Sequence, residues 1–281
     1  MTQPCVDHIM CLGGPCESVR ALFEQLGFIV TPYSPIAALG GGNQCILFES
    51  AADGSANYLE LVSVEDEALI APDMRPVFTG GWGPKMLVMS VEDIAAEVAL
   101  RAPEGRVAAG PLYMDRDWVV SDAEILKVSF GVYLPTVPSS SFPVNACQHF
   151  TPQHYARQDW TAHPNGARQI MSVLVVTDQP EQLQQQLLPL GSKWETTSSG
   201  SVLNSAGMSI TYLSPEVAAQ RLGIESVFER RSQIVGVSIA ADLSTLTQWL
   251  TSHQIECQRR DGRICVHADT AQGIALEFIE T

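Results

Sequence analysis

Charge is scarce in this chain. Asp, Glu, Lys and Arg make up 17% of its 281 residues, against about 25% in an ordinary soluble protein. Basic residues are the rarest of these: 16 Lys and Arg stand against 31 Asp and Glu, a formal charge of −15. They are also scattered, so no face can neutralise a phosphate backbone, and a nucleic-acid partner is excluded. Long apolar runs are missing too. None approaches the roughly 18 residues of a membrane helix, and the opening MTQPCVDHIM has neither the basic segment nor the apolar stretch of a signal peptide. The expectation is a cytoplasmic protein without a membrane partner. The seven cysteines are odd in number and never spaced C-x-x-C, which argues against a disulfide framework or a zinc ribbon. We read them as reduced. No Walker-type loop, G-x-G-x-x-G, H-E-x-x-H or G-x-S-x-G occurs, and GGGN at residues 40–43 reads as a turn between strands.

What is present is a globular composition, 46% hydrophobic with 21 Gly and 17 Pro, long enough for about two domains. One pattern recurs four times along it: a β-rich run, a polar cap, an amphipathic helix, then further strands. The first copy has a strand over residues 6–10 (VDHIM) and a helix over 15–26. Val19, Leu22, Phe23 and Leu26 fall at i, i+3, i+4 and i+7, and Gly27 is the stop. Strands are expected at 28–31, 44–49 and 58–64. The second copy opens at 85–89, takes Ser90 as cap with Asp93 three residues on, and continues with strands near 107–112, 125–134 and 144–150. The third opens at 170–176 with Asp178 as cap and ends in a strand near 208–213. The fourth opens at 234–240 with Asp242 as cap and closes with strands at 263–267 and 274–279. Starts 79, 85 and 64 residues apart suit small α+β modules rather than a solenoid. Residues 151–169 are polar, carry two prolines and show no period, which suits a connection between pairs of modules.

With VDHI at the start, a first helix ending in LGF and YLEL closing the first module, this order resembles the vicinal oxygen chelate (VOC) superfamily of glyoxalases, extradiol dioxygenases and antibiotic-resistance proteins. GGNQCILF (41–48), YLELV (58–62), ACQHFTP (146–152) and HPNGA (163–167) are similar to its glyoxalase-like domain proteins. The resemblance implies an α+β fold of four βαβββ modules paired into two VOC domains. The N-terminal one spans 1–152, a linker 153–169, and a degenerate C-terminal one 170–281. In such folds two modules form a cup, with a metal on side chains of their first and last strands. The modules pair within one chain or between two, so a homodimer is compatible with it.

Period-2 alternation puts Val6, His8 and Met10 on one face of the first strand. Tyr58, Glu60 and Val62 likewise share a face, and an inward carboxylate at Glu60 requires a cation or a donor. On the last strand of the second module, Asn145, Cys147 and His149 share one face and Val144, Ala146 and Gln148 the other, and either set could point inward. The superfamily pattern implies a ligand there, and His149 is the residue able to serve. The fourth expected position falls at Lys85 or Met86, neither a ligand for a hard divalent ion. The implied site is therefore His8, Glu60 and His149, a set suited to Fe2+, Mn2+ or Zn2+, with positions open for a substrate.

Asn43, Phe48, Trp118 and Tyr133 are candidates to orient a small oxygenated ligand, with core packing the simpler role for Phe48 and Tyr133. His154 and His163 lie in the linker and read as turn or surface residues. Cys147 has no sequence-evident base to make it a nucleophile. In the C-terminal pair only Glu277 echoes Glu60, and no histidine joins it. Together these imply a metal-dependent lyase, isomerase or dioxygenase acting on a small molecule that chelates through neighbouring oxygens. The alternative is a metal-free small-molecule-binding protein of the resistance-protein type, in which Glu60 pairs with Lys85 or an arginine.

Overall fold

The first helix, α1 (Cys16–Gln25), buries Val19 and Phe23 and ends where Gly27 takes a left-handed conformation (φ +86°). A Cβ at Gly27 would stand 2.6 Å from that of Asn165, so glycine is required both by the turn and by the close approach. The computed structural model describes residues 4–36, 40–50, 55–121, 123–191, 193–197, 200–205, 207–224 and 232–281. Strands β1 (Cys5–Leu12), β2 (Ser34–Ile36), β3 (Gly41–Leu47), β4 (Tyr58–Val64), β5 (Gly83–Ser90), β6 (Val107–Ser121), β7 (Glu124–Pro135) and β8 (Val144–His149) form one sheet in the order β2-β3-β4-β1-β5-β8-β7-β6. A second sheet contains β9 (Ala167–Thr177), β10 (Trp194–Thr197), β11 (Gly200–Leu203), β12 (Ser209–Leu213), β13 (Ser232–Ala241), β14 (Gln258–Arg260), β15 (Arg263–Val266) and β16 (Ala275–Glu280). Its order, β10-β11-β12-β9-β13-β16-β15-β14, is the first order with eight added to every strand number. Four βαβββ modules thus pair into two eight-stranded units, each joined through the antiparallel first strands of its two modules.

Helices α2 (Arg75–Phe78), α3 (Ile94–Arg101), α4 (Gln158–Thr161), α5 (Pro180–Gln186), α6 (Pro215–Leu222) and α7 (Leu243–Ser252) complete the chain. Among the described residues no helix is long and apolar enough to cross a membrane. A single hydrophobic cluster takes Val6, Ile9 and Phe28 from the first unit and Val173, Val237 and Phe278 from the second, together with faces of α1, α3, α5 and α7. Smaller clusters line the opposite, concave faces, with Met10, Val62 and Met86 in the first cup and Leu174, Val235 and Ala275 in the second. Where the two units meet, Gly83 and Gly273 approach so closely that a Cβ on Gly83 would lie 2.8 Å from the Gly273 carbonyl oxygen.

Several expectations need correction. Residues 28–31 are not a strand; Pro32 and Pro35 delay pairing until Ser34–Ile36, which forms the sheet edge where a missing N–H is tolerated. Ser90 ends β5, and the α3 cap is Asp93, whose side chain accepts from the Ala96 N–H. Asp178 does not cap α5, because Thr177 Oγ1 takes the Gln179 N–H and Pro180 opens the helix. Strands β10 and β11 were not anticipated, the run WETTSSGSVL being too polar to show alternation. Within residues 153–169, Tyr155, Trp160 and His163 are buried, so His163 is not the turn or surface residue expected.

Candidate active site in the N-terminal cup

Strand β1 departs from simple alternation. Its register against β5 steps from Val6↔Met89 to His8↔Val88, two residues on one strand against one on the other, which leaves Asp7 as a bulge. A bulge re-aims side chains. Val6 joins Ile9 and Cys11 in the shared core, and does not lie on His8's face as alternation had it; His8 and Met10 line the cup. Asp7 is fully buried. One of its oxygens accepts from His8 Nδ1 (2.7 Å) and from His149 Nε2 (3.0 Å), and the other accepts from the Ala56 N–H (2.9 Å). Both candidate histidines are therefore held by one carboxylate that the sequence reading missed. The signal was there: an Asp and a His side by side in an otherwise apolar strand.

His8 turns its Nε2 into the cup, 3.6 Å from Glu60 Oε2 and 3.3 Å from the Tyr58 hydroxyl, whose ring stacks on the imidazole at 4.1 Å. Glu60 accepts from Asn43 Nδ2 at 2.6 Å, and Asn43 in turn accepts from Arg116 Nη1 at 3.0 Å. On β8 the set Asn145, Cys147 and His149 faces the cup, while Gln148 turns away to cap α3 through the Ile94 N–H. Burial opposes charge on both histidines, yet it is outweighed: Asp7 and Glu60 raise His8 to about 9, and Asp7 with Cys147 raises His149 to about 10. Burial works against Asp7 and Glu60 as well, but the histidines hold both below the usual carboxylate range. Two buried carboxylates thus draw positive charge to the site, and the two imidazoles supply it by keeping their protons.

The cup encloses a cavity of about 270 Å3 with a largely apolar wall that includes Met10, Met74, Phe78, Met86, Val88 and Phe130. The fourth position is apolar, since Met86 and Val88 oppose Met10 and His8 in register. Asp7, His8 and His149 are the group whose ligand atoms all come within 4.8 Å of one another among the described residues; Glu60 reaches only the His8 side of it. Cys147 Sγ lies 3.8 Å from His149 Nδ1, so a base does stand beside it, but burial pushes the thiol up and keeps it protonated.

Of the four residues expected to contact a ligand, Asn43 lies at the centre of the site. Tyr133 borders the cavity, but its hydroxyl donates to the Val144 carbonyl and its ring belongs to the shared core. Phe48 is a core residue packed on Phe28 and His163, on the face away from the cup. Trp118 packs at a tilt against Tyr155 and Trp160 behind the cavity wall. The linker residue that reaches the cavity is Tyr155, whose ring meets His149 at 4.7 Å and Tyr58 at 5.7 Å. Arg116, another residue not anticipated, also lines it.

His163 is a structural latch. It donates from Nε2 to the Leu47 carbonyl (2.9 Å) and accepts from the Ile29 N–H at Nδ1 (3.0 Å), with its desolvated ring brought down to about 4. His154 sits in the turn Pro152–His154. A depressed imidazole stabilises the fold above its unfolded value of 6.5, and this contribution is lost as pH falls toward 4. At pH 5 the loss should be about 2 kcal/mol. Urea unfolding at pH 7 and pH 5 is expected to show that extra loss in the wild type relative to His163→Gln, which keeps a donor and an acceptor but does not titrate. Equal pH dependence in the two proteins would contradict the neutral buried ring.

The second cup shows how the same backbone manages without these histidines. Ser172 pairs in register with Ser209, two residues before Thr211, as His8 pairs with Tyr58 two residues before Glu60. Ser172 and Thr211 therefore occupy the places of His8 and Glu60, and their hydroxyls bond each other at 2.7 Å. Glu277 is buried and held by Arg221 through two bonds of 2.7 Å and by Arg263 at 3.1 Å.

Paired βαβββ modules around a cup with carboxylate and imidazole donors define a protein of the VOC superfamily. Residues 6–191 match the glyoxalase-like domain family, and the chain belongs to that family. In solved structures it is similar to a hypothetical protein from Staphylococcus aureus, at 14% identity and TM-score 0.68 over 99% of this chain and 100% of that one. It is also similar to a Mn(II)-bound glyoxalase from Novosphingobium aromaticivorans (9%, TM-score 0.59, 99% and 83%). A variant of 4-hydroxymandelate synthase from Streptomyces coelicolor shares the fold over 100% of this chain and 93% of its own (10%, TM-score 0.58). At these identities the likeness is one of fold. No curated protein matches the chain in sequence.

Proposed function

We propose that the N-terminal cup is the active site of a metal-dependent VOC-type enzyme, a lyase, isomerase or dioxygenase, whose small substrate chelates through neighbouring oxygens. The observation that carries this reading is His8 Nε2 facing Glu60 Oε2 at 3.6 Å in a largely apolar-walled cavity. That separation is too long for a good hydrogen bond and short enough for two ligands of one ion. The donor set fits: Asp7 takes the Nδ1 proton of His8 and leaves Nε2 as the coordinating atom, the usual carboxylate–histidine arrangement behind a metal. His149 is the third ligand we assign, with its ring on the same cavity and the same Asp7 behind it. A divalent ion held there would polarise a substrate oxygen as a Lewis acid. The chain's own residues supply the rest. Met86 and Val88 leave the fourth side without a protein donor, Asn43 orients Glu60, and the methionine and valine wall excludes water.

One of the structural neighbours is itself a Mn(II)-bound glyoxalase, which makes Mn(II) a natural first ion to supply. Titration with Mn(II) or Fe(II), then with catechols, α-hydroxyketones or α-keto acids, is expected to change the spectrum of the metal. If these ligands neither alter the spectrum nor displace water from the ion, the metal-free binding protein becomes the better reading.

A further inference from the structure

Arg116 has no place in the metal set, yet it stands in the same cavity. It projects from β6, one wall of the long β6–β7 hairpin, with its guanidinium 6.0 Å from the centre of the Phe130 ring. Its Nη1 donates to Asn43. Its Nε is buried and has no hydrogen-bond partner; among the described residues no carboxylate is in direct ion-pair contact with it, and Glu60 feels its charge across the shared Asn43. A buried guanidinium donor without an acceptor is costly unless a ligand provides one. Arginine presents its N–H groups as a fork that suits a carboxylate.

The charge balance points the same way. With His8 and His149 neutral as metal ligands, Arg116 and a divalent ion would bring three positive charges to the cavity and its surround, and Asp7 and Glu60 two negative ones. One positive charge is left without a partner. One surplus charge and one arginine edge suit a carboxylate monoanion. A phosphate dianion would need more donors than this wall holds. The cavity volume, about 270 Å3, equals roughly nine waters at about 30 Å3 each, room for a body of some ten to twelve non-hydrogen atoms.

We infer that Arg116 is the specificity residue of the cup, and that the substrate is a small carboxylic acid with an apolar body, its carboxylate on Arg116 and its chelating oxygens toward His8 and Glu60. This rests on the function proposed above for the second half of that statement only; the carboxylate contact stands on Arg116 itself.

The test separates the two halves with a pair of probes, 3,4-dihydroxybenzoate and 3,4-dihydroxybenzamide, which share a catechol and a shape and differ by one charge. Calorimetric titration into the Mn(II)-loaded protein is expected to show the acid binding at least about tenfold more tightly than the amide. Arg116→Met should bring the acid down to the level of the amide and leave the amide unchanged, while Arg116→Lys should keep part of the preference. Arg116→Gln, which retains a donor for Asn43, guards against a collapse of the Asn43–Glu60 contact, and metal content is measured on every variant. Equal binding of acid and amide to the wild type, a preference that survives in both Arg116→Met and Arg116→Gln, or no binding of the acid overturns the inference. If the amide does not bind loaded protein but an Arg116-dependent preference for the acid persists after chelator treatment, the metal reading fails and the carboxylate site stands.

Discussion

Protein purified without chelator is expected to carry one divalent transition metal per chain, and His8→Ala, Glu60→Gln and His149→Ala are each expected to carry almost none. The reason is coordination number: three side chains with open positions are already the minimum for a transition ion, and two leave an affinity that ordinary washing removes. His8 should show the largest loss, because it is the residue in contact with Asp7, Tyr58 and Glu60 together. Elemental analysis gives the content directly. Thermal or chemical unfolding gives it again, since an ion present at about a thousand times its dissociation constant stabilises the wild type by about 4 kcal/mol, an increment the variants should lack. Glu277→Gln is the internal control and should keep the metal, its carboxylate being engaged by Arg221 and Arg263. Stoichiometric metal in any two of the three ligand variants would refute the assigned set.

Asp7→Asn should be among the most destabilising polar substitutions in the chain. The carboxylate is fully buried and accepts three hydrogen bonds, two of them from imidazoles that it holds in their charged forms. Asparagine has nearly the same shape, so no cavity term enters. What changes is that one acceptor becomes an NH2 donor pointed at another donor, and the charge opposite His8 and His149 disappears. Breaking a buried pair on one side costs about 3 to 5 kcal/mol, far more than the pair's own net contribution, because the remaining charge is left desolvated. Denaturant unfolding of chelator-treated protein should show the midpoint falling with an unchanged slope. Metal affinity should fall as well, by about 10- to 100-fold, as is usual when a histidine ligand loses its supporting carboxylate. A loss below about 1 kcal/mol would show that the three bonds of Asp7 are not what fixes the two rings.

The elements with the strongest periodicity were the most legible. α1 and the strand YLELV could be read from spacing, the later strands of the second module were less clear, and the resemblance carried the module order. Asp7 could not be read, because a bulge is invisible to a period-2 rule and reverses the faces on either side of it. Cys147, Asn145 and His149 needed three dimensions to resolve which alternating set faces inward. Phe48 and Trp118 were placed near the cup on chemistry alone; Phe48 follows the end of β3 and turns to the core, and Trp118 packs on aromatic residues of a segment read as a linker. Arg116 was overlooked for a similar reason: in a long polar hairpin nothing local marks one arginine as inward-facing.

The offset of eight between the two strand orders sets the same backbone positions side by side in both cups with different side chains on them. Ser172 and Thr211 satisfy each other, and Glu277 is satisfied by two arginines. At the positions where the first cup sets His8 and Glu60, the second sets hydroxyls that close on each other, with the same strand pairing. Inheritance of a fold and inheritance of its chemistry are thus separable here at a few positions. The second unit contributes Phe278, Val237 and Val173 to the core on which the first unit's strands rest.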